Sequence, residues 1–204
     1  SMHKIPYIVF FHMDVLWDGW RGKVLNGYER TAEPWIMRHA HAVLASSTEL
    51  AQASSLGHVK GIRVQPSAYS LDLSRFHPPG ADEPRPAVPS IVFVGAGDAG
   101  HAFKGVPQLI EAFARVRTDM PCTLELVGDG DLRPGFEALA RASGVADDIN
   151  FLGRVDDDEL AHTYRMGSVV VLPSTTREEA FGVVLAEGMA SGCPCIASDF
   201  PGVD

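Results

Sequence analysis

The chain has 204 residues, of which 46% are hydrophobic, and carries 17 Lys and Arg against 26 Asp and Glu, for a net charge of −9 at pH 7. This length and composition predict a globular protein with one large domain or parts of two. The acidic balance argues against a nucleic-acid-binding surface, which needs a basic face. No apolar run approaches the length of a membrane span.

Strands and helices alternate along the first part of the chain. Three apolar runs, IPYIVFF, AVLAS and GIRVQP, predict strands, and helices are predicted near Val24 to Ala40 and from Thr48 to Leu56. The segment HPPGADEPRPAVP contains too much proline for a regular element and predicts a stiff linker. We therefore predict a partial first domain over residues 1–76 and a linker over residues 77–89.

A second series of strands and helices occupies residues 90–204. Its predicted strands are SIVFVG, TLELVG, INFLG, VVVLP and CPCIAS. Such alternation is typical of parallel βαβ units, so the predicted fold class is α/β. The helix after INFLGRV opens with four acidic residues, which we interpret as capping residues that complement its dipole. The last strand has no helix after it and the first part has only three strands, so we expect the sequence to be the middle of a longer protein.

The segment IVFVGAGDAGHAFKG contains Gly95-x-Gly97-x-x-Gly100 after an apolar run, the pattern of a dinucleotide-binding fingerprint. That fingerprint needs its third glycine in the opening turn of a helix and an acidic residue at the end of the next strand. Neither requirement is met cleanly, because a helix is predicted to begin only at Val106, just before a proline that suits a first turn. Lys104 beside that helix start indicates phosphate binding instead; the alternative is a solvated lysine. One apolar stripe is predicted on this helix, formed by Val106, Leu109, Ile110, Phe113 and Val116.

Two glutamates, Glu179 and Glu187, lie across the start of a predicted helix in the segment PSTTREEAFGVVLAEGMASGCPCIAS. Eight helical residues advance about 12 Å, which suits two carboxylates that hold hydroxyl groups at opposite ends of a sugar diphosphate. Phe181 and Gly182 leave backbone N–H groups open to the phosphates between them. The flanking segments place this helix at the carboxyl edge of a parallel sheet, where α/β folds bind ligands. The alternative is that Glu179 complements the helix dipole in the first turn and Glu187 is a solvated helix residue.

The order of these segments resembles a known family. KG followed by LIEAF, then LVGDG, INFLGRV, VVVLPS, EEAFGVVLAEGMASG and PCIASDFPG, is similar to the donor-binding domain of retaining GT-B glycosyltransferases of glycosyltransferase family 4. In the first part, IVFFHMDV resembles the acceptor-domain strand that ends in an active-site histidine, and SLDLSRFHP resembles the segment that leads into the linker. The resemblance implies two Rossmann-like βαβ domains, the first partial and the second, over residues 90–204, a nearly complete donor-binding domain.

The resemblance also implies a role for each matching residue. Lys104 and Gly105 would bind the donor diphosphate, where the ammonium neutralises charge on the leaving nucleotide without a metal. Glu187 would bind the ribose hydroxyls, and Glu179 would contact the transferred sugar as a catalytic residue. For Arg154, which is implied to lie beside the base, the alternative is a solvated charged side chain. The remaining implied donor contacts are Phe181 and Gly182 at the phosphates, and Gly153, Arg154 and Val155 beside the base.

His12 ends an apolar strand, and the resemblance implies a catalytic role in which it donates a hydrogen bond to the sugar or stabilises the leaving group. The alternative is a surface histidine. The pairs His12 with Asp14 and His39 with His41 hint at a metal, but residues two apart do not share a helix face, so no metal is predicted. Four aromatic residues are candidates to line an acceptor cleft: Trp17, Trp20, Trp35 and Tyr28. The alternative is that they pack in a core or an interface.

The sequence departs from the family pattern at three places, one of which is the final PGVD, where the family normally continues. Gly95-Ala96 stands where the family has a Gly-Arg pair, which removes a second phosphate-binding cation, and Arg177 is a candidate to supply it. The segment PSAYSLD stands where the family has P-N-G-V-D, which removes an asparagine between the domains.

The predicted function is transfer of a hexosyl-type sugar from a nucleotide diphosphate sugar, of the UDP or GDP type, to an acceptor hydroxyl with retention. Glycan, glycolipid or polysaccharide biosynthesis is the expected setting, with a sugar, lipid-linked or small-molecule acceptor and no nucleic-acid partner. No cofactor and no metal are expected. The alternatives are a nucleotide-sugar-binding module without transfer activity and a sugar-nucleotide epimerase of the same architecture.

Three cysteines, Cys122, Cys193 and Cys195, lie in strand-like apolar contexts and are predicted to be small core residues. An odd number without metal-type spacing is typical of a reducing compartment. The predicted location is therefore the cytoplasm, either free or at the inner face of the membrane through a region outside this sequence.

Overall fold

The computed structural model describes residues 5–13, 19–67, 69–176, 178–179 and 181–199. The chain folds into two compact units, the first within residues 1–70, 177–181 and 199–204, and the second within residues 71–176 and 182–198. The predicted boundaries between a first domain, a linker and a second domain stay a prediction. Three positions named above, Asp14, Trp17 and Arg177, lie outside the described residues.

The described part of the first unit is a parallel sheet with two helices. Its strands, in the order β1-β2-β3, are β1 (Ile8–Phe11), β2 (Ala42–Ala45) and β3 (Val64–Pro66). Its helices are α1 (Gly19–His39) and α2 (Thr48–Ala53). Side chains of β1 alternate between exposed and inward-facing positions: Val9 is partly buried, and Phe11 is buried in one apolar core with Met37 of α1 and Val43 of β2.

The described part of the second unit is a larger parallel sheet with helices between its strands. The strands are β4 (Ser90–Val94), β5 (Thr123–Val127), β6 (Ile149–Gly153), β7 (Val169–Leu172) and β8 (Cys195–Ala197). The helices are α3 (Val106–Asp119), α4 (Arg133–Ala142), α5 (Asp157–Met166) and α6 (Val183–Ala190). The α/β class predicted from the alternation of apolar runs is confirmed.

The strand order in the second unit is β6-β5-β4-β7-β8. The chain therefore starts in the middle of the sheet, adds β5 and β6 on one side of β4, and then crosses to add β7 and β8 on the other. All of these pairs are parallel, so the carboxyl ends of β4 and β7 lie side by side. In open parallel sheets, the place where the strand order reverses is the usual position of a ligand.

Helix α3 begins at Val106 with a proline in its first turn, as the sequence predicted. Four of the five residues predicted for its apolar stripe, Val106, Leu109, Ile110 and Phe113, belong to the main core of the second unit. The prediction is wrong for the fifth residue, Val116, which lies near the end of the helix with 38% of its surface exposed.

The acidic opening of α5 acts as a cap, as predicted. The Asp156 carboxylate accepts hydrogen bonds from the backbone N–H groups of Asp158 at 3.1 Å and Glu159 at 2.9 Å. Arg75 adds ion pairs to Asp157 at 2.5 Å and to Asp158 at 3.3 Å. The same acidic turn therefore caps a helix and anchors the segment that precedes the proline-rich stretch.

Residues 77–89 form no helix or strand, in agreement with their proline content. Arg85 fixes this segment to the second unit, because its guanidinium donates to the carbonyl oxygens of Arg165 at 2.9 Å and Gly192 at 2.6 Å. Glu83 adds an ion pair with Arg165 at 3.3 Å. The segment is thus an ordered strap on the second unit.

Two predicted helix boundaries in the first unit are wrong. Helix α1 begins at Gly19, earlier than the predicted Val24, and so includes Gly22, which is buried although glycine has a low helix propensity. Helix α2 ends at Ala53, short of the predicted Leu56, and a separate 3₁₀ turn, Ser55–His58, buries Leu56 instead.

Candidate active site

The loops after β4 and β7 are joined at the point where the strand order reverses. Thr175, after β7, donates its backbone N–H at 2.7 Å and its hydroxyl at 3.0 Å to the carbonyl oxygen of Phe103, after β4. Gly105 has φ of 72°, and a Cβ there would overlap the carbonyl oxygen of Pro173. Only glycine fits this position without strain. The structure therefore places Gly105 as the contact between the two loops.

The glycines of the fingerprint-like segment serve loop packing. A Cβ on Gly128 would overlap the carbonyl oxygen of Gly95, and a Cβ on Gly130 would overlap the backbone of Gly97. The loops after β4 and β5 therefore meet backbone to backbone. Gly100 lies in a 3₁₀ segment before α3, so no glycine of the pattern opens that helix. The requirements of a dinucleotide-binding turn are not met.

Lys104 lies at the end of that 3₁₀ segment, one residue before the Gly105 N-cap of α3. Its aliphatic stem packs on Gly95, because Lys104 Cδ lies 2.8 Å from where a Cβ of Gly95 would stand. Its Nζ atom lies 5.5 Å from the centroid of the Phe103 ring. The side chain is half-buried, so the ammonium is held at the carboxyl edge of the sheet beside a helix N-terminus.

Glu187 lies in α6 and is half-buried. The hydroxyl of Tyr164, in α5, donates a hydrogen bond to Glu187 Oε2 at 2.9 Å. Burial raises the pKa of Glu187, and the hydrogen bond from Tyr164 opposes that rise. The alternative that Glu187 is a solvated helix residue is therefore wrong.

Gly182 is the N-cap of α6, with φ of 65°, so the helix begins after both Glu179 and Phe181. Glu179 lies outside the first turn of α6 and is 9% exposed. The alternative that Glu179 complements the dipole from the first turn is wrong. The rise of about 12 Å for eight helical residues does not describe this pair either, since only Glu187 is in the helix.

His12, Glu179 and Phe181 belong to the first unit, whereas Lys104 and Glu187 belong to the second. Within the first unit, the Tyr69 hydroxyl lies 2.6 Å from His12 Nδ1. The Tyr69 ring also contacts Phe181, with 4.9 Å between centroids.

The sequence analysis predicts no role for Tyr69. The one feature that could have indicated a role is its place in PSAYSLD, where the family pattern has P-N-G-V-D. His12 itself is exposed, with its ring 5.0 Å from that of Phe10. The structure therefore brings His12 and Phe181 to the same tyrosine.

The turn after β6 contains the three residues predicted beside a base. Gly153 has φ of 70° and accepts a hydrogen bond from the Gly128 N–H at 2.7 Å. Arg154 is exposed and Val155 is half-buried. The hydrogen bond joins this turn to the loop after β5. Both lie at the carboxyl edge of the sheet, as does Lys104.

Among the described residues, no group of three or more His, Cys, Asp and Glu side chains is arranged to hold a metal ion. Helix α1 ends at His39, so His41 lies beyond it. Cys122 and Cys193 are buried, as predicted, while Cys195 is half-buried; all three are free thiols. No helix in the described ranges is both long and apolar enough to cross a membrane.

A family match identifies the chain. The family described as "Glycosyl transferases group 1" matches residues 88–204, more than half of the chain. The chain belongs to this family. The chain is also similar to the D-rhamnosyltransferase WbpZ of Pseudomonas aeruginosa, with 28% identity over 98% of the chain and 50% of that protein. It spans a quarter to a half of the length of the curated relatives it matches.

Solved structures of glycosyltransferases have the same GT-B fold as this group 1 family member. Sucrose-phosphate synthase from Thermosynechococcus elongatus matches with a TM-score of 0.81 and 24% identity, over 100% of this chain and 52% of that one. Anabaena HepE in complex with UDP and glucose matches with a TM-score of 0.73 and 21% identity, over 97% of this chain and 54% of that one. The predicted fold, GT-B with two α/β units, is confirmed.

Proposed function

We propose that the chain is part of a retaining glycosyltransferase and that its second unit binds a nucleotide diphosphate sugar. Membership of the group 1 family supports sugar transfer. The presence of UDP and glucose in the HepE complex supports a nucleotide-sugar donor. The observation that carries the proposal is Lys104 at the N-terminus of α3, at the point between β4 and β7 where the strand order reverses. An ammonium group and a helix N-terminus both favour a bound diphosphate.

In this proposal Lys104 binds the diphosphate and neutralises the charge that builds on it as the glycosidic bond breaks. Gly105 has no side chain, so the diphosphate can approach the backbone at the first turn of α3. Phe181 and Gly182 present backbone N–H groups at the start of α6, a second helix N-terminus. Phosphate binding by these groups needs no metal, and we propose none and no other cofactor.

Carboxylates recognise the hydroxyl groups of the donor. Glu187 accepts hydrogen bonds from the ribose, and Glu179 accepts them from the transferred sugar. His12 donates a hydrogen bond to the same sugar or stabilises the leaving group. Arg154 and Val155 lie beside the base.

The proposed reaction retains configuration at the anomeric carbon. The bond from that carbon to the diphosphate oxygen breaks, and a bond to the acceptor oxygen forms on the same face of the sugar. The acceptor proton passes to the leaving diphosphate oxygen, so no side-chain base is required. The residues of this chain bind and orient the donor, and Lys104 supplies electrostatic stabilisation.

The acceptor proposed is a hydroxyl of a sugar, a lipid-linked compound or another small molecule, in glycan, glycolipid or polysaccharide biosynthesis. The name of the Pseudomonas relative, a D-rhamnosyltransferase, supports a role in glycan assembly. The proposed location is the cytoplasm, because three free cysteines suit a reducing compartment. Contact with the inner face of the membrane is a further part of this proposal.

Calorimetric titration of the chain with UDP, GDP, ADP and NAD tests donor binding. We expect one nucleoside diphosphate to bind and Lys104→Ala to weaken it by about tenfold to a hundredfold, as for loss of a charge-assisted contact. Lys23→Ala is the matched control, since Lys23 is exposed on α1 of the first unit, and it should leave binding unchanged. Binding of NAD that is insensitive to Lys104→Ala would contradict the proposal.

Nuclear magnetic resonance of the product tests retention. With the donor identified by titration and a set of hydroxyl acceptors, the product should carry the anomeric configuration of the donor. Inverted product would exclude the retaining mechanism. Donor binding with no transfer to any acceptor would favour the binding-module alternative, and epimerised nucleotide sugar without an acceptor would favour the epimerase.

A further inference from the structure

Tyr164 is a buried side chain whose hydroxyl makes a hydrogen bond to Glu187. It is 0% exposed in α5, and its hydroxyl donates to Glu187 Oε2 at 2.9 Å. Phe76 packs edge-on against its ring, with 6.1 Å between centroids. A buried hydroxyl without a partner is costly, so the hydrogen bond to Glu187 is strongly favoured. Tyr164 therefore acts as a fixed donor.

The backbone beneath Glu187 is also fixed. Gly188 is buried against β7, and a Cβ there would lie 2.7 Å from Val170 Cγ2. Helix α6 therefore packs closely on the sheet at this point. The position of the Glu187 Cα is set by Gly188, and the position of its carboxylate is set by Tyr164.

We propose that Tyr164 is a positioning residue that occupies Glu187 Oε2 and leaves Oε1 to accept hydrogen bonds from a ribose, so that the pair selects ribonucleotides over 2′-deoxyribonucleotides. This inference rests on the proposed function. Oε1 carries no hydrogen bond from the part of the chain that the structure describes. A carboxylate oxygen has two acceptor sites, which suits two neighbouring hydroxyl groups.

The pair also predicts a pH dependence of nucleotide binding. The groups that act on it are Asp157 of α5, which raises the Glu187 pKa, and the thiols Cys193 and Cys195, which act on Tyr164. Burial is the main cause of the raised Glu187 pKa, and the Tyr164 hydrogen bond lowers it. Binding that needs the carboxylate is lost as pH falls through this pKa. Removal of the hydroxyl moves that loss to higher pH.

Calorimetric titration with UDP and 2′-deoxy-UDP, or with the GDP pair if GDP is the ligand bound, tests the inference on the whole chain. We expect wild type to prefer the ribonucleotide by about tenfold, the effect of a hydrogen bond to a charged group. Tyr164→Phe should reduce that preference to about twofold and shift the acid limb of binding upward. Tyr7→Phe is the control, because Tyr7 donates only to the Ile36 carbonyl in the first unit, and it should change neither quantity.

A double-mutant cycle with Glu187→Gln tests whether Tyr164 acts through Glu187. In the Glu187→Gln background, Tyr164→Phe should have no further effect on the preference for ribose. An unchanged preference in the single Tyr164→Phe variant, or an additive loss in the double variant, would overturn the inference. If wild type binds no nucleoside diphosphate at all, the proposed function fails first and the inference falls with it.

Thermal unfolding of Tyr164→Phe establishes that the variant is folded before it is titrated. If it does not fold, biosynthetic incorporation of 3-fluorotyrosine keeps the ring and makes the hydroxyl a stronger donor. The acid limb of ribonucleotide binding should then move to lower pH. An unmoved limb would contradict a role for the Tyr164 hydroxyl.

Discussion

The hydroxyl of Tyr69 lies 2.6 Å from Nδ1 of His12, although the two residues are 57 positions apart in the chain. Burial raises the pKa of Tyr69, so the phenol stays protonated at neutral pH and can donate. When it donates to Nδ1, the imidazole proton lies on Nε2. The tyrosine thereby orients the histidine ring and leaves Nε2–H as the donor of that ring, which is the group that donates to the sugar in the proposed function.

Tyr69→Phe should release this orientation while keeping the ring contact with Phe181. Nitrogen-15 magnetic resonance of the histidine rings should report one tautomer of His12, protonated on Nε2, in wild type and a mixture in the variant. Tyr7→Phe is the control, because the Tyr7 hydroxyl donates to the Ile36 carbonyl oxygen, and it should leave the His12 signals in place. A His12 tautomer that does not respond to Tyr69→Phe would show that the hydroxyl does not set it.

Gly105→Ala should destabilise the second unit by about 2–4 kcal/mol, because the new Cβ meets the Pro173 carbonyl oxygen at a positive φ. Donor binding should weaken as well, since the loop that carries Lys104 must shift. Denaturant unfolding followed by circular dichroism measures the loss of stability.

Gly135→Ala is the matched control for that substitution. Gly135 lies in α4 with no atom within 4 Å of an added Cβ. Alanine has the higher helix propensity, so this variant should gain about 0.5–1 kcal/mol. Equal effects of the two substitutions would contradict the contact assigned to Gly105.

The sequence predicted the elements whose signals are local. The apolar run of β4 and the proline in the first turn of α3 both lie within a few residues of the boundary that they predict. The candidate residues Lys104 and Glu187 were also found, because they lie in segments with a family resemblance. Their surroundings could not be predicted from such signals.

Tyr69 and Tyr164 illustrate why. Tyr164 meets Glu187 23 positions later in the chain, across two helices that pack together only in the folded unit. In the sequence, Tyr164 is one more aromatic residue on an amphipathic helix, and Tyr69 belongs to a departure from the family pattern. Contacts of this kind depend on tertiary packing, which neither periodicity nor propensity encodes.

Glu187→Gln should reduce nucleotide binding and increase stability near neutral pH. Burial raises the pKa of the Glu187 carboxyl above its unfolded value, so the folded chain binds more protons than the unfolded chain between those two values. Stability therefore falls as pH rises through that window, and glutamine removes the cost of the buried charge. Chemical unfolding of both proteins from about pH 4, near the usual glutamate pKa, up to about pH 8, well above it, measures the difference. A stability difference that is the same across this interval would contradict the raised pKa.

The free thiols should react slowly in the folded chain. Burial raises the pKa of Cys193 to about 11 and also raises the pKa values of Cys122 and Cys195, so little reactive thiolate is present at neutral pH. Iodoacetamide labelling read by mass spectrometry should modify Cys195 first, because it is the most accessible of the three, and the other two at the rate of unfolding. Urea should make all three react at a common rate. Rapid labelling of Cys193 in the native chain would mean that the end of α6 opens without unfolding of the second unit.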